Sequence, residues 1–260
     1  MITAVSVWIG YNFVVFEYSF LPFWIAGLSG ALICAGGNVF NDIFDAEIDR
    51  INNPDRPLAA GEIKVSISIF WGTFLFLTGT ILSYLINTKT LIIAVLTVVL
   101  LMVYNVWAKK IMLLGNMIVS ILTGLAFIFG GFAADPAKLI IVPAIFSFLY
   151  HLGREILKDI EDITGDKRAG LNTFPIQYGI SVSIYISMVI FTLLIIATLI
   201  PYFFLNYSIY YLVLVIGGVD LLIIGLMVRY LRNRDQEVLS QTNKYLKIGM
   251  VLGLAALLLR

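Results

Sequence analysis

The chain has 260 residues, 60% of them hydrophobic and 13% charged, with a formal net charge of +1. A soluble domain carries about 45–50% apolar and about 25% charged residues, so an ordinary water-soluble globule is excluded. The near-neutral charge provides no bulk attraction for nucleic acid. The single cysteine, Cys34, excludes an intramolecular disulfide and reads as a small buried apolar side chain.

The apolar residues fall in long runs with almost no charge, such as 66–86, 91–107 and 181–205. A run of about 20 apolar residues spans the hydrocarbon core as a helix. Only helices or closed barrels satisfy their backbone in lipid, and these runs are continuous rather than alternating. The prediction is an all-α membrane protein, a bundle of about nine transmembrane helices forming one domain over 1–260. The first span covers 1–16. It has no basic flank and no cleavage site of a signal peptide, and its bare start predicts a short basic segment ahead of Met1. Further spans follow at 22–45, 65–86, 90–107, 113–133, 137–160, 178–200, 208–230 and 242–260. Turn residues mark several junctions: Asn87, Asp135-Pro136, Pro201 and Asn206.

Nine spans create two sets of ends. Lys89, Lys138 and Arg260 belong to one set, and the other 14 of the 17 basic residues belong to the second. The positive-inside rule places the second set in the cytoplasm, with the N-terminus cytoplasmic and the C-terminus outside. Two connections on that side, 46–64 and 167–178, are long and rich in charge, Pro and Gly. Long loops gathered on one face usually carry function.

Asp42, Asp45 and Asp49 form a D-x2-D-x3-D pattern at the end of the second span. Asp159, Asp162 and Asp166 repeat it 117 residues later, at the end of the sixth. The two spans are separated by an even number of crossings, so both triplets emerge on the cytoplasmic side, and the repeat reads as an internal duplication. Positions i, i+3 and i+7 share one helix face, so each triplet aims its carboxylates one way. Glu155 extends the second stripe by a turn, and Asn41 flanks the first. Carboxylates stacked this closely repel one another unless a hard cation bridges them. Mg²⁺ is usually held by few carboxylates together with substrate phosphates. Interleaved bases point the same way: Arg50 and Arg56 after the first triplet, Arg154, Lys158, Lys167 and Arg168 around the second, and Tyr104, Asn105, Lys109 and Lys110 at the end of the fourth span.

A single acidic helix end is ordinarily a solvated surface. Two matched triplets on one membrane side point instead to a site. A cation transporter remains the non-enzyme alternative, although it would set its acids near the bilayer midplane on broken helices. A CDP-alcohol phosphotransferase also pairs Asp triplets, but with D-G and A-R elements and a much closer second triplet. His151, the only histidine, lies two turns above Asp159 and reads as a packed or hydrogen-bonded residue. Asp220, inside the eighth span, reads as paired with a polar neighbour or lining a cavity.

The stretch Asn41-Asp-Ile-Phe-Asp-Ala-Glu-Ile-Asp49, followed by Asn53-Pro-Asp-Arg-Pro57, resembles the first motif of the UbiA superfamily of intramembrane prenyltransferases. Asp159–Asp166, running on to Lys167, Gly170, Thr173 and Pro175, resembles its second motif, and Tyr104 with Lys109 resembles its Tyr–Lys pair. The family usually opens its first helix with an Arg-Pro-x-Asn element, and this sequence starts after that point. The stretch Gly153–Asp166 is most similar to the archaeal digeranylgeranylglyceryl phosphate synthases, while chlorophyll synthases share much of the first motif. The resemblance implies transfer of a geranylgeranyl group from its diphosphate to the hydroxyl of geranylgeranylglyceryl phosphate, in ether-lipid synthesis at the cell membrane. An aromatic acceptor, quinone-like or chlorophyll-like, is the alternative.

On that resemblance Asn41, Asp42, Asp45, Asp49, Asp159, Asp162 and Asp166 hold Mg²⁺. Lys109, Tyr104, Arg56 and Lys167 face the diphosphate, with Arg50, Asn53 and Asn105 completing the donor site. Arg154, Lys158 and Arg168 meet the phosphate of the lipid acceptor. The hydroxyl proton goes to an Asp of the second triplet, Asp162 or Asp166, or to the leaving diphosphate. Membrane lipids are the remaining partners, and nucleic acid is not one.

Overall fold

The computed structural model describes residues 2–12, 20–52, 54–134, 140–168 and 170–260, all of them in helices, turns or short connections. Among the described residues nine helical stretches overlap the expected spans. They are α1 (Ile2–Asn12), α2 (Phe20–Asn52), α3 (Val65–Ile86), α4 (Thr88–Val106), α5 (Leu114–Ala134) and α6 (Ile141–Glu161), then, after two short helices α7 (Ile163–Arg168) and α8 (Phe174–Tyr178), α9 (Ile180–Phe204), the run α10 (Ile209–Leu214) to α11 (Leu221–Arg232), and α12 (Gln236–Leu258). Among the described residues six stretches are long and apolar enough to cross a membrane. The chain is a multi-pass membrane protein. Its outward face agrees: Phe70, Trp71, Leu77, Ile81 and Leu85 of α3 are all exposed. In water such a stripe would be an aggregation surface; in lipid it is solvated.

The chain divides into two units, 1–144 and 145–260. In the first, α1 packs on α5 and α2, and α2 packs along α3. Val7, Tyr11, Ala26, Ile33, Phe76, Ile93 and Phe129 form its core. Lipid supplies no hydrophobic force between helices, so close backbone approach and polar ties carry the packing. The Ser29 hydroxyl donates to the Gly79 carbonyl at 2.7 Å. Asn87 caps α4 by accepting from the Thr90 N–H at 2.9 Å, and its amide donates to the Phe132 carbonyl at 2.8 Å. Among the described residues the closest approach to backbone is at Gly130, where a Cβ would lie 1.9 Å from the Val7 carbonyl oxygen. Backbone cannot step aside as a side chain can. Gly130→Ala is expected to cost about 3 kcal/mol. The check is a lowered melting temperature in detergent, against no loss in Gly225→Ala, where a Cβ would meet nothing within 4 Å.

In the second unit the Tyr150 hydroxyl donates to the Leu246 carbonyl at 2.6 Å, and the Ser187 hydroxyl donates to the Gly153 carbonyl at 2.8 Å. These tie α6 to α12 and α9. Val215–Asp220, between α10 and α11, is a π-helical turn. Asp220 ends it, buried, accepting from the Thr198 hydroxyl at 3.2 Å. The buried acid thus has the polar neighbour expected of it.

Two expectations are corrected. Pro201 is not a junction but lies inside α9. Near a helix end its missing N–H forfeits a single bond, and its carbonyl still accepts from Leu205 at 3.0 Å and Tyr207 at 3.2 Å; the turn falls at Asn206, whose φ is 56°. The loop expected from residue 46 begins later, because α2 continues to Asn52. Nothing before Pro54 breaks a helix in that stretch. Asp135-Pro136 lies outside the described residues.

Candidate functional site

The prolonged α2 carries Asn41, Asp42, Asp45, Asp49 and Arg50 on one continuous helix. Regular helical spacing puts the three carboxylates on one face, as the pattern predicted. The Asn41 amide donates to Asp45 Oδ2 at 2.8 Å. The other Asp45 oxygen accepts from Lys109 Nζ, and both side chains of this ion pair are largely buried. Lys109 is delivered by the 3₁₀ turn Ala108–Lys110 that follows α4, with Ala108 fully buried beneath it.

Arg56 reaches back over the same stripe. Its Nη1 donates to Asp49 Oδ2 at 2.7 Å and lies 3.3 Å from Asp42 Oδ1. The turn holding it is closed by Ala60 N–H donating to the Arg56 carbonyl at 2.8 Å, and by Glu62 N–H donating to the Pro57 carbonyl at 2.9 Å. The first triplet is therefore gripped by two cations from different parts of the chain. Sequence reasoning put both bases beside the triplet but missed that they pair with it directly.

Tyr104 and Asn105 end α4. Asn105 is 2% exposed; its amide lies 3.5 Å from the Gly37 carbonyl, and its Oδ1 has no hydrogen-bond partner. An orphaned buried acceptor costs free energy unless something donates to it, which fits a ligand-facing position. Arg50 is exposed and forms no ion pair among the described residues. Asn53, expected to bind substrate, lies outside the described residues.

The second triplet is built differently. Asp159 is on α6, Asp162 sits at the break, and Asp166 is on α7. Asp162 N–H still donates to the Lys158 carbonyl at 2.9 Å, and Asp166 N–H to the Asp162 carbonyl at 3.0 Å. These four-residue bonds keep the helical register, so the three carboxylates retain one face across the break. α7 ends in a Schellman turn: Leu171 N–H donates to the Asp166 carbonyl at 2.9 Å and Gly170 N–H to the Lys167 carbonyl at 3.2 Å. Gly170 takes φ 68° there, which a glycine adopts without strain.

Burial, and then the charge of Asp162, push the Asp166 carboxyl up to about 6, with Lys158 opposing. Arg154 is engaged by Glu155 at 2.8 Å, which the sequence did not foresee, while its Nε has no partner. Lys158, Lys167 and Arg168 are exposed and form no ion pair among the described residues. Thr173, known from the sequence only as part of a motif, is buried with an unpartnered hydroxyl oxygen just before α8.

Both stripes thus present hard oxygen donors beside Lys and Arg. Among the described residues no three acids converge at ligating distance. A divalent ion here would take few protein ligands and fill its shell with water and phosphate oxygens, which is the habit of Mg²⁺.

Comparison with known proteins follows the same line. A model of the UbiA prenyltransferase family matches residues 1–251. Digeranylgeranylglyceryl phosphate synthase of Sulfurisphaera tokodaii is 38% identical over 251 residues, spanning 95% of this chain and 88% of that protein. The synthase of the same name from Methanosphaera stadtmanae is 36% identical over 217 residues, 84% of this chain and 79% of that protein. A solved structure from work on digeranylgeranylglyceryl phosphate synthase in membranes superposes with a TM-score of 0.84 at 38% identity, covering 98% of this chain and 91% of the other.

Proposed function

Because this chain belongs to the UbiA prenyltransferase family, we propose that it transfers a geranylgeranyl group from geranylgeranyl diphosphate to the hydroxyl of geranylgeranylglyceryl phosphate in archaeal ether-lipid synthesis. The names of its relatives support that acceptor. The observation that carries the chemistry is the α2 carboxylate stripe held by Lys109 and Arg56. Such a mixed set suits a metal–diphosphate headgroup better than a bare cation.

Asn41, Asp42, Asp45 and Asp49, with Asp159, Asp162 and Asp166, are the residues that would hold Mg²⁺. Bound there, the ion supplies Lewis-acid neutralisation of the leaving diphosphate. Lys109, Arg56, Tyr104 and Lys167 donate to diphosphate oxygens and stabilise charge as the allylic C–O bond lengthens. Arg50, Asn53 and Asn105 complete the donor site. Lys158, Arg168 and Arg154 bind the phosphate of the acceptor. The apolar spans seat the isoprenoid tails and keep water from the allylic carbon. The asymmetry of Lys and Arg supports a cytoplasmic N-terminus and a site that opens to the cytoplasm.

The assay is purified protein in detergent with Mg²⁺ and radiolabelled geranylgeranyl diphosphate, offered a glycerol ether phosphate or a phenolic acceptor. Ether product from the first is expected; product only from the aromatic acceptor would reassign the enzyme within its family. No diphosphate release with either would remove the prenyl-transfer reading.

Acidity offers a further check. Asp166 carries its proton below about pH 6, above the usual carboxylate range. A cation that binds it must displace that proton, so affinity is full above the raised value and falls as pH drops through it. Apparent Mg²⁺ affinity is expected to decline about tenfold per pH unit below that point. Asp166→Asn should flatten the decline in a calorimetric Mg²⁺ titration. An equally steep decline in the variant would assign the effect to another group.

A further inference from the structure

The attacking hydroxyl must lose its proton, and the acids of the second triplet are poorly placed to take it. On the prenyl-transfer reading their lone pairs are committed to a cation. Displacement in line also puts the entering oxygen on the face of the allylic carbon opposite the diphosphate. The base then belongs deeper in the bundle than the triplet, by about the length of the headgroup.

His151 meets that description within its own unit. It lies eight residues before Asp159 on α6, with Glu155 between them, so the three share a face. Eight residues correspond to about 12 Å along the helix axis. Its Nδ1 lies 2.9 Å from the Ser147 carbonyl oxygen. A carbonyl can only accept, so Nδ1 carries the proton, and in the neutral ring Nε2 holds the lone pair. Nε2 makes no hydrogen bond among the described residues and is not one of the atoms sealed away without a partner. The ring is steadied edge-on by Tyr150, at 6.4 Å between centroids, and Tyr150 is itself tied to the Leu246 carbonyl. The charged groups nearest on α6, Arg154 and Glu155, neutralise each other at 2.8 Å. A fixed tautomer, a steadied ring and an unused lone pair are what a general base requires.

We propose that His151 is the general base that removes the acceptor's hydroxyl proton, an inference that rests on the prenyl-transfer reading. Nε2 takes the proton as the oxygen's electron pair forms the new C–O bond. The bond from the allylic carbon to the diphosphate breaks with its pair leaving on the diphosphate. The imidazolium then returns its proton to water when products depart.

The test uses the full chain in detergent with geranylgeranyl diphosphate, geranylgeranylglyceryl phosphate and Mg²⁺. Absence of ether product from the wild-type protein removes the functional reading and this proposal with it. Where the wild type is active, His151→Gln is expected to lower kcat about 100-fold while leaving the KM for the diphosphate donor within about twofold. In His151→Ala, added imidazole should restore turnover in proportion to its neutral form, which a merely packed ring would not allow. A kcat within about threefold of wild type in His151→Gln, or a loss in His151→Ala that imidazole leaves untouched, overturns the assignment.

Discussion

Asp45→Ala is expected to abolish prenyl transfer, by about 10³-fold or more, while the protein still folds. Asp45 is the hub of the first stripe, accepting from the Asn41 amide at 2.8 Å and from Lys109. Its removal takes away a proposed Mg²⁺ ligand and also strands Lys109, whose side chain is 12% exposed. Breaking a buried pair from one side costs roughly 3–5 kcal/mol at most, and less at a membrane edge where water reaches. The single variant should therefore melt earlier as well as lose turnover. Adding Lys109→Met removes the stranded charge, so the double variant is expected to regain stability without regaining activity. Asp162→Ala is the companion: its carboxylate is exposed and supports no packing, so turnover should vanish with the melting temperature unchanged. Full activity of Asp45→Ala or Asp162→Ala at low Mg²⁺ would contradict the metal role.

Lys109→Met should have the next largest effect, with a signature of its own. In this structure Lys109 sits on Asp45; on the proposed reading it gives up that carboxylate to a metal and takes the diphosphate instead. Taking it away should lower kcat/KM for the donor by about 10²–10³-fold, as for other lost contacts to developing charge. The same change frees an Asp45 oxygen, so Mg²⁺ binding without donor should tighten. Calorimetric titration with Mg²⁺ alone, set beside steady-state kinetics, reads both. A loss of turnover with weaker Mg²⁺ binding would mean that Lys109 shapes the site rather than exchanging partners within it. Lys109→Arg is a poor rescue, since a planar fork does not replace a point charge in a crowded corner.

Much of this molecule was legible before its coordinates. The helical stretches could be read because lipid forces every backbone polar group to find its partner within the segment, which makes length and hydropathy nearly sufficient. The shared direction of Asp42, Asp45 and Asp49 could be read because helical spacing is local geometry. Helix ends were read less well. α2 runs on to Asn52 and α9 passes through Pro201, since polarity marks where lipid stops rather than where hydrogen bonding does.

By itself, then, the sequence determined a helical membrane bundle, two acid stripes and the family to which they belong. All three are written in residue type and short-range period. Tertiary structure alone decided that Lys109 meets Asp45 across 64 residues of chain and that Arg56 folds back onto Asp49. Each of these is a choice among several chemically suitable partners. Only the packing that brings distant backbone to within a few ångströms makes that choice.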